Sequence, residues 1–158
     1  MAYKLLFVCL GNICRSPTAE NVMNHLVEKA GLSNIHCDSA GTSSYHIGSS
    51  PDSRMSAAAD AILGIKLRGQ ARAFESSDFE NFDLILAMDK ENYRNILSMS
   101  GANQDKVRLM CDYCRTHSLK EVPDPYYGGK EGFNQVVDLL VDACGGLLED
   151  ICSSDTLR

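Results

Sequence analysis

Hydrophobic residues along the chain occur as short continuous runs and as longer stretches with a helical repeat. The run Tyr3 to Cys9 is almost uninterrupted, as expected of a parallel strand covered on both faces. Beyond a Gly-containing turn, apolar residues recur every three or four positions from Ala19 to Ala30, which predicts a helix packed on a sheet. Ser16 is a suitable N-cap for this helix, Pro17 a suitable first residue and Gly31 a suitable stop.

The same alternation continues along the rest of the chain. The predicted strands are Ile35 to Ala40, Leu84 to Met88 and Val107 to Met110, and the predicted helices run from about Asp52 to Leu63, Lys90 to Met99 and Gly132 to Ile151. Strands that alternate with helices are joined by right-handed crossovers. The pattern therefore predicts an α/β fold with a four-stranded parallel sheet flanked by helices. A chain of 158 residues is long enough for one such domain, which we expect to span 1–158.

Composition and charge exclude several classes of function. The net charge of -6 argues against nucleic-acid binding, because that requires a surplus of Lys and Arg. No apolar run is long enough to insert in a membrane, and the first residues lack the pattern of a signal peptide. Seven cysteines at irregular spacing are typical of reduced intracellular thiols, so we expect a cytoplasmic protein. The four histidines fall on separate elements, so the spacing predicts no metal site.

The segment Cys9-Leu-Gly-Asn-Ile-Cys-Arg15 joins the end of the first predicted strand to the first predicted helix. Ligands of open α/β sheets bind at this edge, and a helix N-terminus directs unpaired N–H groups and a positive dipole at an anion. Gly11 would let the backbone curl, and the Arg15 guanidinium can hold two phosphate oxygens. The same field favours the thiolate form of Cys9. The segment therefore predicts a phosphate-binding loop with a cysteine nucleophile.

The segment Val8 to Glu20 resembles the signature of the low-molecular-weight protein tyrosine phosphatases, and Asp124-Pro-Tyr-Tyr-Gly128 matches their second motif. In element order and length the resemblance covers essentially the whole chain. It implies a flavodoxin-like fold, no metal or other cofactor, and a covalent cysteinyl-phosphate intermediate. It also implies that the phosphate is bound by the loop residues Leu10, Gly11, Asn12, Ile13, Cys14, Arg15 and Ser16.

The resemblance implies further roles for individual residues. Asp124 would be the general acid that protonates the leaving group, and then the base that activates water. Ser16 would donate a hydrogen bond to the Cys9 sulfur, while Asn12 and Ser39 would hold the shape of the loop. The resemblance thus implies an enzyme that hydrolyses phosphotyrosine in proteins, or small aryl phosphates.

Aromatic residues near these motifs predict a wall for an aromatic substrate. Tyr126 and Tyr127 lie beside the proposed acid, and Tyr45 falls where the family usually has an aromatic residue on the facing loop. Together the three tyrosines could form a slot deep enough for phosphotyrosine. Such a slot would select phosphotyrosine over the shorter phosphoserine. In related phosphatases the position of Cys14 can form a reversible disulfide with the nucleophile, so Cys14 is a redox candidate.

Two other functions remain open from the sequence. A thioredoxin-coupled arsenate reductase uses a similar loop on the same fold, but it needs two further cysteines after the third strand. Cys111 and Cys114 lie later in the chain, where they could conceivably substitute, although a lone CxxC pair is a weak metal or dithiol signal. A phosphate-binding module without turnover is the other alternative. Whichever function applies, we expect the chain to be a monomer.

Overall fold

The computed structural model describes residues 2–99 and 103–153. The predicted domain range of 1–158 also includes 1, 100–102 and 154–158, which lie outside the described residues. The strands are β1 (Tyr3–Cys9), β2 (Ile35–Gly41), β3 (Leu84–Ala87) and β4 (Val107–Leu109). The α-helices are α1 (Arg15–Lys29), α2 (Ser53–Leu63), α3 (Asp78–Asn81), α4 (Lys90–Leu97) and α5 (Lys130–Ser153). None of these helices combines the length and apolar character needed to cross a membrane.

All four strands are parallel and lie in the order β2-β1-β3-β4, which confirms the predicted fold class. The chain leaves β1 toward β2 on one side and later returns to β3 on the other side. The carboxyl ends of β1 and β3 therefore flank the point where the strand order changes direction. Open α/β sheets form their ligand crevices at this point. Cys9 is the last residue of β1, and Asp89 follows soon after β3.

Alternate residues of β1 enter two hydrophobic clusters, one on each face of the sheet. Leu5 and Phe7 belong to the larger cluster, where α1, α2 and α5 pack. Leu6 and Val8 belong to the smaller cluster, with residues of α3 and α4. All four side chains are fully buried. Burial on both faces explains why the strand reads as a continuous apolar run rather than an alternating one.

Several local predictions were wrong in detail. Helix α1 begins at Arg15 with Cys14 at the N-cap position and no side-chain cap, so Ser16 is not the N-cap. The Ser16 hydroxyl is instead directed into the Cys9–Arg15 loop. The four-residue helix α3 was not predicted, because one turn is too short to show a hydrophobic repeat.

Candidate active site

A cleft of about 100 Å³ opens at the carboxyl edge of the sheet, next to the ends of β1 and β3. It is lined by the loop after β1, by one residue of the loop after β2 and by the segment that precedes α5: Cys9, Leu10, Gly11, Ile13, Cys14, Arg15, His46, Asp124, Tyr126 and Tyr127. The two motifs that the sequence suggested are more than a hundred residues apart, and folding brings both into one cleft.

Cys9 lies at the base of this cleft and is 2% exposed. Its sulfur is 3.0 Å from the Ser16 hydroxyl oxygen and accepts a 3.3 Å hydrogen bond from the backbone N–H of Asn12. When the hydroxyl donates, both groups stabilise negative charge on the sulfur. The sulfur is therefore held in one position. The Ser16 hydroxyl and the Asn12 N–H contact it from within the protein, and the cleft opens on its other side.

Asn12 holds the loop in its curved shape. It has a φ of 57°, and its side-chain amide donates to the hydroxyl oxygens of Ser16 (2.8 Å) and Ser39 (3.0 Å). Its side-chain oxygen accepts a 3.0 Å hydrogen bond from the backbone N–H of Arg72. The sequence suggested that Gly11 would supply the special backbone conformation. The left-handed residue is Asn12, and three side-chain hydrogen bonds offset the strain.

Two glycines near the loop allow neighbouring parts of the chain to approach it closely. They are not needed there for unusual backbone dihedral angles. A Cβ atom on Gly11 would lie 3.0 Å from the ring of His46. A Cβ atom on Gly41, at the end of β2, would lie 2.8 Å from the carbonyl oxygen of Leu10, where no real Cβ fits. The loop is thus pressed between β2 and the segment around His46, which leaves it little freedom to relax.

The inner surface of the loop presents unpaired donors. The backbone N–H groups of Gly11, Ile13 and Cys14 have no hydrogen-bond acceptor within residues 2–99 and 103–153. These three residues line the cleft, and α1 starts directly after them. Converging N–H groups at the start of a helix form a binding site for an anion without a basic surface. This arrangement suits a phosphate group positioned above the Cys9 sulfur.

Arg15 is buried, with 2% of its surface exposed, and is held by groups far away in sequence. Its Nη1 donates to Asp89 Oδ2 at 2.6 Å and to the carbonyl oxygen of Val122 at 3.0 Å. Its Nη2 lies 3.8 Å from Asp124 Oδ2. Burial alone would lower the pKa of Arg15, but the negative charge of Cys9 and the hydrogen bond with Asp89 raise it above its ordinary value. The guanidinium therefore stays charged in the cleft wall.

Asp89 was missed by the sequence reasoning, although a weak signal was present. It directly precedes α4, where an Asp is a favourable N-cap, and its Oδ1 accepts a 2.7 Å hydrogen bond from the backbone N–H of Asn92. The other carboxylate oxygen binds Arg15. One side chain thus starts α4 and orients the guanidinium.

Asp124 lies at the mouth of the cleft and remains exposed. One of its oxygens accepts a 3.1 Å hydrogen bond from the backbone N–H of Tyr126, and the other faces Arg15. The first contact is a local turn that fixes the direction of the carboxylate. The second oxygen is free to meet a group bound in the cleft.

Tyr126 and Tyr127 both line the cleft, with ring centroids 5.0 Å apart and planes nearly perpendicular. Tyr45 is 89% exposed and is not among the residues that line the cleft. Its neighbour His46 occupies the facing wall instead, with ring centroids 5.6 Å from Tyr45 and 6.2 Å from Tyr126. The sequence reasoning had not assigned His46 to the site.

A buried polar network supports the loop from behind. The Ser39 hydroxyl donates to Glu20 Oε1 at 2.6 Å, and burial raises the pKa of Glu20 to about 7. The Arg72 guanidinium binds both Asp38 and Asp78. Neither Glu20 nor Arg72 was predicted to support the site, because only their packing against Ser39 and Asn12 connects them to it.

The other cysteines considered from the sequence, Cys14, Cys111 and Cys114, differ in their position relative to the cleft. Cys14 lines the cleft, and burial raises its pKa to about 12. Cys111 and Cys114 lie at a 3₁₀ turn (Met110–Tyr113) after β4 and do not line the cleft. Burial raises the pKa of Cys111 to about 12 and also raises that of Cys114. Across residues 2–99 and 103–153, no group of three or more His, Cys, Asp or Glu side chains is placed to hold a metal ion.

Comparison with known proteins agrees with this geometry. Residues 4–156 match the family model described as low molecular weight phosphotyrosine protein phosphatase. A Synechocystis protein, whose name assigns it provisionally to the same family, is 58% identical over 151 residues, covering 94% of this chain and 96% of that protein. The low molecular weight phosphotyrosine protein phosphatase of Schizosaccharomyces pombe is 44% identical, with the same coverage.

The fold is also shared with solved structures. A protein tyrosine phosphatase from Entamoeba histolytica, crystallised with Hepes in its active site, superimposes with a TM-score of 0.90 at 47% identity. That alignment covers 95% of this chain and 97% of the other. The match extends over nearly the full length in every comparison, so it includes both motifs of the cleft. This chain therefore belongs to the low molecular weight phosphotyrosine protein phosphatase family.

Proposed function

We propose that this phosphatase hydrolyses phosphotyrosine in proteins, as well as small aryl phosphates, with Cys9 as nucleophile, Arg15 as phosphate clamp and Asp124 as general acid and base. One observation carries the proposal: the cleft holds a buried sulfur, a charged guanidinium and an exposed carboxylate around a set of unpaired backbone N–H groups. This combination provides a nucleophile, charge stabilisation and a proton donor for one phosphate group.

In the first step the Cys9 thiolate attacks phosphorus, and the bond between phosphorus and the aryl oxygen breaks. The N–H groups of the loop and the Arg15 guanidinium hold the three equatorial oxygens as charge redistributes. Protonated Asp124 gives its proton to the leaving oxygen. The products are a free phenol and a cysteinyl-phosphate.

In the second step water attacks the cysteinyl-phosphate. Asp124, now a carboxylate, takes a proton from the water, and the bond between sulfur and phosphorus breaks. The Ser16 hydroxyl donates to the sulfur as the thiolate leaves, while Asn12 and Ser39 keep the loop in shape. Inorganic phosphate is released, and the enzyme returns to its starting protonation state.

Substrate selection follows from the shape of the cleft. Tyr126 and Tyr127 provide an aromatic wall, and His46 lies opposite. Because the Cys9 sulfur is at the base of the cleft, a phosphate must be carried on a side chain long enough to reach it. Phosphotyrosine has this length and an aromatic ring that packs on the wall. Tyr45, at 89% exposure, would contact substrate residues outside the cleft.

We further propose that the enzyme works as a cytoplasmic monomer, with 1–158 forming one catalytic domain that uses no cofactor. All seven cysteines are unpaired thiols, a state favoured by a reducing compartment and needed by the Cys9 nucleophile. Arsenate reduction is disfavoured because Cys111 and Cys114 lie outside the cleft and burial keeps both thiols protonated. A module without turnover is disfavoured because Cys9, Arg15 and Asp124, the three residues with proposed catalytic roles, line the same cleft.

Hydrolysis of p-nitrophenyl phosphate tests the proposal, with the Cys9→Ser and Cys152→Ser variants side by side. We expect Cys9→Ser to lose about a thousandfold or more in kcat, as for the removal of an attacking nucleophile. Cys152→Ser removes an exposed thiol near the end of α5 and should retain wild-type turnover. Full activity of the Cys9→Ser protein would refute the mechanism. Thioredoxin-coupled reduction of arsenate with little phosphatase activity would refute the assigned reaction.

A further inference from the structure

A second concavity lies beside the active-site cleft, between α2 and the start of α5. It has a volume of about 500 Å³ and is lined by Arg54, Ala57 and Ala61 of α2, and by Gly129, Lys130 and Phe133. We call it the α2–α5 groove. Its walls are mostly small or apolar, and Arg54 and Lys130 are the charged side chains among the residues that line it. The groove has no role in the reaction described above.

The groove and the cleft adjoin through one contact between side chains of their walls. Tyr126 lines the cleft, and the Arg54 guanidinium carbon lies 5.2 Å from the centroid of its ring. The same carbon lies 4.7 Å from the ring centroid of Phe133 in the groove. A polypeptide whose phosphotyrosine enters the cleft would therefore have the groove directly beyond the contact of Tyr126 with Arg54.

The charge in the groove is opposite to that of the protein as a whole. The chain carries a net charge of -6, yet both charged residues in the groove are cations. Arg54 is fixed by Asp52, which binds its Nε at 3.2 Å and its Nη2 at 3.0 Å and so balances part of its charge. Lys130 is exposed and makes no ion pair within the described ranges. Its ammonium group is available to an acidic partner.

We propose that the α2–α5 groove binds the substrate polypeptide next to the phosphotyrosine and selects an Asp or Glu side chain, which pairs with Lys130. This inference rests on the proposed phosphotyrosine phosphatase function. Tyr126 in the cleft and Phe133 in the groove contact the same Arg54 guanidinium, and an extended chain advances about 3.3 Å per residue, so we expect the acidic residue to be a few positions from the phosphotyrosine. The small residues Ala57, Ala61 and Gly129 leave room for the backbone of that chain.

The test uses pairs of phosphotyrosine peptides that are identical except for Asp or its isostere Asn at one position. Asp is compared with Asn at each of four positions on either side of the phosphotyrosine, by kcat/KM at low salt. We expect at least one position where Asp is preferred about three- to fivefold, the range of an exposed ion pair. The preference should vanish at 1 M salt, where screening acts within about 3 Å.

Lys130→Glu should reverse this preference to favour Asn, and the milder Lys130→Gln should abolish it. Lys29→Glu is the matched control, since Lys29 is an exposed lysine at the far end of α1, and it should keep the preference. Equal use of Asp and Asn peptides, or an unchanged preference in both Lys130 variants, would overturn the groove proposal alone. No hydrolysis of any phosphotyrosine peptide would overturn the proposed function instead. A dimer in sedimentation that Lys130→Glu dissociates would assign the groove to a second copy of the chain and also refute the proposal.

Discussion

The Ser16 hydroxyl oxygen lies 3.0 Å from the Cys9 sulfur, close enough for a hydrogen bond within the first turn of α1. The hydroxyl also accepts a 2.8 Å hydrogen bond from the Asn12 side chain. The hydroxyl proton has two acceptors within reach, the Cys9 sulfur at 3.0 Å and the carbonyl oxygen of Ala40 at 3.5 Å, and the sulfur is the nearer. Ser16 thus lies inside α1, whose N-cap position is Cys14, and its hydroxyl is placed to donate to the proposed nucleophile.

Ser16→Ala should reduce kcat by about tenfold to a hundredfold, the cost of losing a hydrogen bond to a charged group. The loss should fall mainly on the second step, where the sulfur regains its charge. Rapid-mixing experiments with p-nitrophenyl phosphate should therefore show a burst of nitrophenol followed by slow turnover. Ser98→Ala, which removes an exposed hydroxyl at the end of α4, serves as the control. A variant that turns over at the wild-type rate would exclude this role for Ser16.

Asp89→Asn should lower kcat/KM by roughly tenfold, because Arg15 loses a charge-assisted hydrogen bond and its planar group is less well oriented. Asn is also a good N-cap, so α4 should persist and thermal stability should change little. Inhibition by inorganic phosphate should weaken in parallel with kcat/KM. Asp138→Asn, on the exposed side of α5, controls for the loss of one negative charge. Equal activity of the two variants would contradict the orienting role.

Asp124→Asn should affect substrates according to how much their leaving group needs a proton. Phenyl phosphate should lose about a hundredfold or more in kcat/KM, which reports the first step alone, the usual contribution of a general acid. p-Nitrophenyl phosphate should lose less in the first step, because nitrophenolate leaves without protonation. The measurement is the ratio of the activities on the two substrates. General damage to the site would lower both activities equally and leave this ratio unchanged. Equal losses for both substrates would argue against proton transfer from Asp124.

Glu20 should make stability depend on pH. Burial raises its pKa in the folded protein to about 7 from an ordinary value of 4.5, so between these values the folded state binds the proton more tightly than the unfolded state. Its contribution to stability is present below pH 4.5 and is lost as the pH rises through 7. Glu20→Gln keeps an acceptor for Ser39 and should remove this loss, about 1 to 3 kcal/mol after allowance for partial exposure.

Urea unfolding of the wild type and Glu20→Gln at pH 5 and pH 8 measures this difference directly. The two proteins should differ more at the higher pH, with the variant the more stable there. Glu28→Gln, an exposed residue of the same helix, should follow the wild-type dependence on pH. If the free energy of unfolding changed equally with pH in the wild type and in Glu20→Gln, Glu20 would have the same pKa in the folded and unfolded states.

Cys14 should protect the nucleophile from irreversible oxidation. Peroxide converts a reactive thiolate to a sulfenic acid, and a neighbouring thiol can condense with it to form a disulfide and water. Both cysteines line the same cleft, although the raised pKa of Cys14 should make this condensation faster at alkaline pH. Dithiothreitol should restore activity to the peroxide-treated wild type but not to Cys14→Ser. Full recovery of both proteins would leave Cys14 without a redox role.

The sequence by itself determined the sheet and the position of the Cys9–Arg15 loop, which we propose binds phosphate. A strand buried on both faces and a helix packed on one produce distinct hydrophobic repeats, so β1, α1 and their order could be predicted. The loop could be predicted because its parts are contiguous: Cys9, Arg15 and the start of the helix lie within seven residues. Donors on neighbouring residues at a helix start converge whatever the rest of the chain does.

Only the tertiary structure decided what surrounds that loop. Asp89 and Val122 hold Arg15 because the ends of β3 and of the last long loop pack beside β1, which no local propensity records. His46 rather than Tyr45 faces the cleft because the loop after β2 crosses Gly11 at close range. Contacts of this kind depend on how the crossovers pack against one another. Sequence spacing alone carries no information about that packing unless a known motif happens to mark it, as the Asp124 segment did.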